Sequence, residues 1–254
     1  MSNLKNFFVF AFLLTSLFCS AQEITVAAAA DLQFALQDVA ARFQKETNHP
    51  VKLTFGSSGN FFSQIQNGAP FDVYFSADID YPKRLEAAGL TEPGTLYEYA
   101  TGKIVLWAPS GSKVDVSKGL QALLDSNVNK IAIANPEHAP YGRAAVAAMK
   151  HENIYDKVST KLVLGENISQ TASLVVSGGA DVGIIALSLA VAPTMKTKGQ
   201  YAEIPTAEYP ALEQAAVILK SSQHKDIVKQ FMDYLKASEI RTLLRGYGFA
   251  LPAK

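Results

Sequence analysis

The chain has 254 residues, of which 48% are hydrophobic, and its 23 Lys and Arg residues balance its 23 Asp and Glu residues. This composition provides a substantial core in one large domain or two smaller ones, which excludes an intrinsically disordered chain. The neutral charge balance argues against a nucleic-acid partner, because such partners usually require a basic surface. A small anion remains compatible with it, since local donors suffice to hold one.

The N-terminus predicts export. A twelve-residue apolar stretch over 7–18 follows a lysine and precedes small residues, which is typical of a cleavable signal peptide over 1–21 and too short to span a membrane. We expect cleavage after Ala21 and a periplasmic product. A lipoprotein anchored through Cys19 is the alternative, disfavoured by the bulky Phe18. After such cleavage no cysteine remains for disulfides or metal sites.

Strands and helices alternate along the rest of the chain. The first unit is the apolar run "EITVAAAA" and the segment "DLQFALQDVAARFQKET", in which Leu32, Leu36 and Phe43 recur at helical spacing. Asp31 stands at the position of an N-cap. The later predicted strands include "VKLTF", "FDVYFSA", "GKIVLWAPSG", "KIAIAN", "TKLVLG", "DVGIIAL" and "EQAAVILK".

This alternation predicts an α/β fold with mostly parallel sheets. The number of strands is large for one sheet, so we expect two α/β lobes. The predicted boundaries are lobe I over 22–104 plus 221–254 and lobe II over 105–220. The long apolar strands around 105–109 and 215–220 are predicted to cross between the lobes.

Four junctions between a strand and the following helix are candidate binding loops, because ligands of open α/β sheets lie beyond the carboxyl ends of strands. They are Ala30-Asp31, Ser57-Ser58, Pro140-Tyr141-Gly142 and Asn167-Ile168-Ser169. Two belong to each predicted lobe, so facing lobes would bring four helix N-termini to one cleft.

The loop "TFGSSGNF" shows what such a cleft would hold. Its glycines and serines lack the lysine of nucleotide-binding loops. Helix N-termini offer unpaired amides and about half a positive charge each, which favours a small anion without a counter-charge. Taken alone, each loop is more typical of a plain turn or helix cap, and the indication of a binding site comes from the four junctions together with the two-lobe plan.

Several of these segments together resemble a known family. "ITVAAAADLQFAL", "FGSSGNFFSQIQNGAPFDVYFSAD", "IANPEHAPYGRAA", "LGENISQTASLV" and "YLKASEIRTLLRGYGF" are similar to the periplasmic molybdate-binding protein of bacterial ABC importers. The resemblance runs from about residue 23 to 249. It implies a type II periplasmic binding protein fold with an interlobe cleft, molybdate or tungstate as ligand, a membrane permease as partner, and neither cofactor nor metal-ion ligand.

The resemblance also implies the ligand set. Ser58 would donate its hydroxyl and amide, Asp31 its amide and a side-chain bond, and Ile168 its amide. Tyr141 would donate its amide and, as in part of the family, its hydroxyl. Ala30, beside Asp31, completes the predicted oxyanion-binding residues.

Two positions depart from the family pattern. Where relatives often have serine, threonine or asparagine, this chain has Asp31, whose carboxylate would repel a dianion. We expect it to turn away and cap its own helix or to be protonated when the anion is bound. Some relatives place a tyrosine at the position of Ala186, and we expect the Tyr141 hydroxyl to replace that donor.

Other functions remain open. A receptor for sulfate or phosphate is the main alternative, because the carboxylate of Asp31 could accept a proton from a protonated anion. An enzyme is disfavoured, since no nucleophile–base set is recognisable. The sensing half of a transcription regulator is disfavoured by the signal peptide. We expect a monomer that binds no nucleic acid.

Overall fold

The structure is a computed structural model, and it describes residues 22–252. The predicted signal peptide and Cys19 lie outside the described residues. Within the described part, no helix combines the length and the apolar character needed to cross a membrane.

Residues 22–252 form ten β-strands, nine α-helices and four short 3₁₀ segments. The strands are β1 Ile24–Ala29, β2 Val51–Gly56, β3 Val73–Ser76, β4 Tyr97–Gly102, β5 Ile104–Pro109, β6 Ile131–Ala134, β7 Leu162–Gly165, β8 Val182–Ala186, β9 Gly199–Glu203 and β10 Leu212–Ile218. The α-helices are α1 Gln33–Thr47, α2 Ser58–Gln66, α3 Asp80–Ala87, α4 Pro140–His151, α5 Tyr155–Val158, α6 Ile168–Val176, α7 Leu187–Ala190, α8 Lys225–Leu235 and α9 Ser238–Gly246. The 3₁₀ segments are Ala30–Leu32, Val116–Leu124, Ser159–Lys161 and Thr206–Glu208.

The strands form two five-stranded mixed sheets, in the orders β2-β1-β3-β10-β4 and β7-β6-β8-β5-β9. In the first sheet β1 is parallel to β2 and β3, and β10 is antiparallel to β3 and β4. The second sheet repeats this plan with β6 parallel to β7 and β8, and β5 antiparallel to β8 and β9. The two sheets and their flanking helices confirm the predicted two-lobed α/β fold.

The sheet order moves one predicted boundary. The sequence pattern predicts 212–220 in lobe II, whereas β10 lies between β3 and β4 in the first sheet. Its Ala216 and Ile218 are buried in the core of that lobe. The chain therefore crosses between the lobes just before β5, at 102–103, and just before β10, near 209–211. A fully buried strand carries no periodicity that indicates which sheet it joins.

Each lobe has its own core, which fixes the ends of its strands. In the first lobe the ring of Phe43 packs edge-on against Phe231, with centroids 5.0 Å apart, and Phe75 packs against Tyr99. In the second lobe the side chain of Trp107 is fully buried within a large aliphatic cluster. Parallel strands anchored in this way direct the loops at their carboxyl ends toward the gap between the lobes.

Candidate anion-binding site

The four predicted junctions meet at one small cavity between the lobes. Nine of the residues that line it are at most 4% exposed, so its walls are largely buried. The lining residues are Ala29, Ala30, Asp31, Gly56, Ser57, Ser58, Ala77, Ala139, Pro140, Tyr141, Asn167 and Ile168. Every residue of the predicted ligand set is among them, and none of these twelve is a lysine, an arginine or a histidine.

Backbone amides at helix starts are the main donors around this cavity. Ser58, Tyr141 and Ile168 occupy the first or second position of α2, α4 and α6, where an amide has no partner within its own helix. Within residues 22–252 these three amides make no hydrogen bond to the protein. Three helix starts from two lobes thus leave unpaired donors at one point.

The start of α6 shows how the unpaired amide is selected. The side chain of Asn167 accepts hydrogen bonds from the amides of Ser169, at 3.0 Å, and Gln170, at 2.9 Å. This N-cap occupies the second and third amides of the helix. The first amide, that of Ile168, remains available to a ligand.

The two serines of the α2 junction have different roles. The hydroxyl oxygen of Ser58 accepts a hydrogen bond from the Ala77 amide at 3.0 Å, so its proton remains free for an acceptor in the cavity. The Ser57 hydroxyl instead donates to the carbonyl oxygen of His138 in the other lobe, at 2.6 Å. Ser58 is therefore oriented as a donor, and Ser57 joins the lobes.

Further contacts hold the lobes together beside the cavity. The amide of Gly59 also donates to the His138 carbonyl, at 2.9 Å. A Cβ atom on Gly59 would lie 2.6 Å from that oxygen, so only glycine permits this approach. On the same side, the guanidinium of Arg143 forms an ion pair with Asp78 at 2.5 Å.

Asp31 lies at the centre of a buried network that crosses the lobes. Its side chain is buried, and its Oδ2 accepts hydrogen bonds from the Tyr141 hydroxyl at 2.9 Å and from Gln214 Nε2 at 2.7 Å. Its carbonyl oxygen accepts a bond from the Ser188 hydroxyl at 2.7 Å. Its Oδ1 is buried and has no hydrogen-bond partner among the described residues.

Burial dominates the electrostatics of this network. Desolvation raises the pKa of Asp31 from 3.8 to about 6, although the hydrogen bonds from Gln214 and Tyr141 oppose the shift. The nearby amides of Asp31 and Leu32 also lower it, but neither makes a hydrogen bond of good geometry to Oδ1. Burial likewise raises the pKa of Tyr141 well above its usual range, so its hydroxyl stays protonated.

The structure corrects the prediction that Asp31 caps a helix. The residue lies inside the 3₁₀ segment Ala30–Leu32, and neither that segment nor α1 has a side-chain cap. Its carboxyl group is engaged by Tyr141 and Gln214 instead. The Tyr141 hydroxyl consequently donates its hydrogen bond to Asp31 and, contrary to the prediction from the resemblance, does not replace the donor absent at Ala186. Ala186 itself does not line the cavity.

Sequence reasoning missed three contacts in this region. Gln214 of β10 and Ser188 of α7 contact Asp31, and His138, in the loop before α4, contacts Ser57 of the other lobe. Gln214 carried a signal, because it directly precedes the apolar run 215–218 of its strand and a buried amide requires partners. The contacts of Ser188 and His138 depend on tertiary placement alone.

Comparisons with known proteins agree with this architecture. The family described as bacterial extracellular solute-binding protein matches residues 24–250. The chain is 39% identical to the molybdate-binding protein ModA of Azotobacter vinelandii over 92% of each chain. It is 37% identical to ModA of Rhodobacter capsulatus, over 91% of this chain and 89% of that protein. The solved periplasmic molybdate-binding protein of A. vinelandii superposes with a TM-score of 0.85, at 35% identity, over 91% of this chain and all of that one.

Proposed function

This chain belongs to the bacterial extracellular solute-binding proteins, and we propose that it captures molybdate in the cavity between its lobes and delivers it to the permease of an ABC importer. Its relatives are binding proteins rather than enzymes. Tungstate, with the same charge and shape, is a near-equal ligand in this proposal.

The observation that carries the proposal is a set of neutral donors, with no Lys, Arg or His among the twelve described residues that line the cavity. Unpaired amides of Ser58, Tyr141 and Ile168 and the free hydroxyl proton of Ser58 belong to residues that line one small cavity. A tetrahedral dianion offers acceptors in every direction, so each donor meets a lone pair. The amides of Ala30 and Asp31 complete the proposed ligand set from the first lobe.

The magnitudes support binding without a counter-charge. A hydrogen bond to a charged acceptor contributes about 1.5–3 kcal/mol net. Binding at one micromolar requires about 8 kcal/mol. The six bonds from these donors exceed this requirement even after part of the energy is used to order the two lobes. Partial positive charge at the starts of α2, α4 and α6 adds to the attraction.

Capture and delivery follow from the arrangement of the lobes. The two crossings of the chain beside β5 and β10 serve as the hinge in this proposal. Ligand binding favours the closed state, because donors from both lobes contact the same anion. Contacts such as Ser57 with His138 and Arg143 with Asp78 stabilise that state. The permease then accepts the anion on reopening, and the receptor acts as a monomer.

A calorimetric titration of the purified protein tests this function. Molybdate and tungstate should bind at micromolar concentration or below and raise the melting temperature, whereas sulfate, which is smaller, should bind at least a hundredfold more weakly. A clear response to sulfate or phosphate with none to molybdate would overturn the proposal.

One observation supports a second ligand class. The buried carboxyl group of Asp31 has an unpartnered oxygen, which would accept a proton from an anion such as hydrogen phosphate. The same titration with phosphate distinguishes the two ligand classes. Phosphate binding tighter than molybdate binding would favour the second one.

A further inference from the structure

We infer that the protein binds its oxyanion together with one proton, which resides on Oδ1 of Asp31 and is donated to the anion. The inference rests on the proposed function and concerns the same cavity. It makes Asp31 a proton-dependent donor and explains how a carboxylic acid occupies the wall of a dianion site.

The hydrogen-bond pattern selects the oxygen that carries the proton. Both side-chain donors to the carboxyl group, Tyr141 and Gln214, bond to Oδ2. An oxygen that already accepts two hydrogen bonds would have to give one of them up to carry a proton. Oδ1 is buried without a partner in the described chain, and Asp31 lines the cavity. A proton on Oδ1 converts an unsatisfied acceptor into a donor beside the ligand.

No Lys, Arg or His side chain among residues 22–252 forms a hydrogen bond or an ion pair with the carboxylate. Around its side chain lie Tyr141 from α4, Gln214 from β10 and Tyr99 from β4, and Ser188 from α7 contacts its carbonyl. Gln214 and Ser188 have uncharged side chains. Both tyrosines stay protonated, because burial raises their pKa well above the usual range. An ionised Asp31 beside a dianion would place three negative charges in one buried space without a counter-ion, which protonation of the carboxyl group relieves.

Other charged and titratable side chains lie beside the cavity without lining it. The ring of His138 contacts the Ser57 hydroxyl at 2.8 Å and approaches Glu166 at 3.6 Å. Arg143 is paired with Asp78. None of these side chains lines the cavity. His138 is therefore the group to control for in a test of pH dependence.

The direction of the pH dependence follows from the burial of Asp31. In the ligand-free protein its pKa is about 6, and an adjacent dianion raises it further. Affinity for molybdate is therefore highest below pH 6 and falls as pH rises through the window above it. With one proton taken up, the fall approaches tenfold per pH unit well above pH 6, or about fiftyfold between pH 6 and pH 8.

The proton balance distinguishes two kinds of ligand. Molybdate carries no proton at neutral pH, so the ionised carboxyl group takes one proton from solvent when the complex forms. Hydrogen phosphate brings its own proton, which the ionised carboxyl group accepts as a hydrogen bond. No covalent bond changes except the O–H bond formed on Asp31.

Titration calorimetry at pH 7.5, in buffers of different ionisation enthalpy, counts the protons taken up. The full-length mature protein should take up about one proton per molybdate. Asp31→Asn should take up none, show a flat affinity between pH 6 and pH 8, and bind molybdate more tightly than the wild type at pH 8. His138→Gln should keep the uptake of about one proton.

The outcomes separate this inference from the proposed function. Molybdate binding without proton uptake by the wild-type protein overturns the inference alone, and so does uptake that persists in Asp31→Asn or disappears in His138→Gln. Absence of molybdate binding from pH 5 to pH 8 overturns the proposed function as well. If Asp31→Asn fails to fold, the wild-type proton count and the His138→Gln control decide the question.

Discussion

Replacing Asp31 with asparagine should stabilise the ligand-free protein at neutral and alkaline pH. The side chain is 1% exposed, and burial raises the pKa of its carboxyl group from 3.8 to about 6. The folded state therefore holds the proton more tightly than the unfolded state, and stability falls as pH rises through this interval. A shift of about two units corresponds to about 3 kcal/mol, at 1.36 kcal/mol per unit.

Asparagine removes this penalty and keeps an acceptor for Tyr141 and Gln214. Denaturant unfolding of both proteins from pH 4 to pH 8 measures the effect. The variant should gain up to about 3 kcal/mol at pH 8, or about 6–12 °C in melting temperature for a chain of this size. The gain should disappear near pH 4, where both side chains are neutral. A variant equally or less stable at pH 8 would refute the reasoning.

Asp72→Asn is the matched control for this prediction. Asp72 is also a buried aspartate of the first lobe, but both of its oxygens have partners. Oδ2 accepts from the amide of Thr25 at 2.7 Å and from its hydroxyl at 2.8 Å, and Oδ1 accepts from Ser222 at 2.7 Å. An amide group would leave at least one of these donors unsatisfied. The control variant should therefore lose about 1–3 kcal/mol of stability at pH 7.

Three further predictions concern the ligand and the closed state. Ser58→Ala should weaken molybdate binding about 10–100-fold in calorimetry, because it removes one donor to a charged acceptor. The control Ser63→Ala, an exposed position in the same helix, should bind as the wild type does. Gly59→Ala should weaken binding at least tenfold, because its Cβ would clash with the other lobe; unchanged affinity would show that this contact is absent from the bound state. Arg143→Met should speed molybdate release in stopped-flow by no more than about fivefold, with the effect lost at 1 M salt, because the Arg143 side chain is 40% exposed.

Much of the fold was predictable because local patterns specify it. Apolar strands and helical spacing identified the alternating elements, and the four strand–helix junctions identified the cavity-lining loops. The placement of β10 in the first sheet was not predictable from these patterns. It depends on pairing with β3, which lies some 140 positions earlier along the chain.

The environment of Asp31 was beyond sequence reasoning for the same physical reason. Its hydrogen-bond partners Tyr141 and Gln214 are 110 and 183 positions away. The conflict between a carboxylate and a dianion was visible in the sequence. The way the protein resolves this conflict was not visible in the sequence. The burial that raises the pKa of Asp31 arises from tertiary packing, and so does the arrangement in which only Oδ2 has hydrogen-bond partners.

The most direct test of the central claim is a diffraction experiment on crystals grown with molybdate, at wavelengths on either side of the molybdenum absorption edge. An anomalous peak should appear in the cavity between Ser58, Tyr141 and Ile168, with its oxygens within hydrogen-bond distance of their amides. A molybdenum peak only on the protein surface, or an ordered cavity occupied by water at saturating molybdate, would contradict the account.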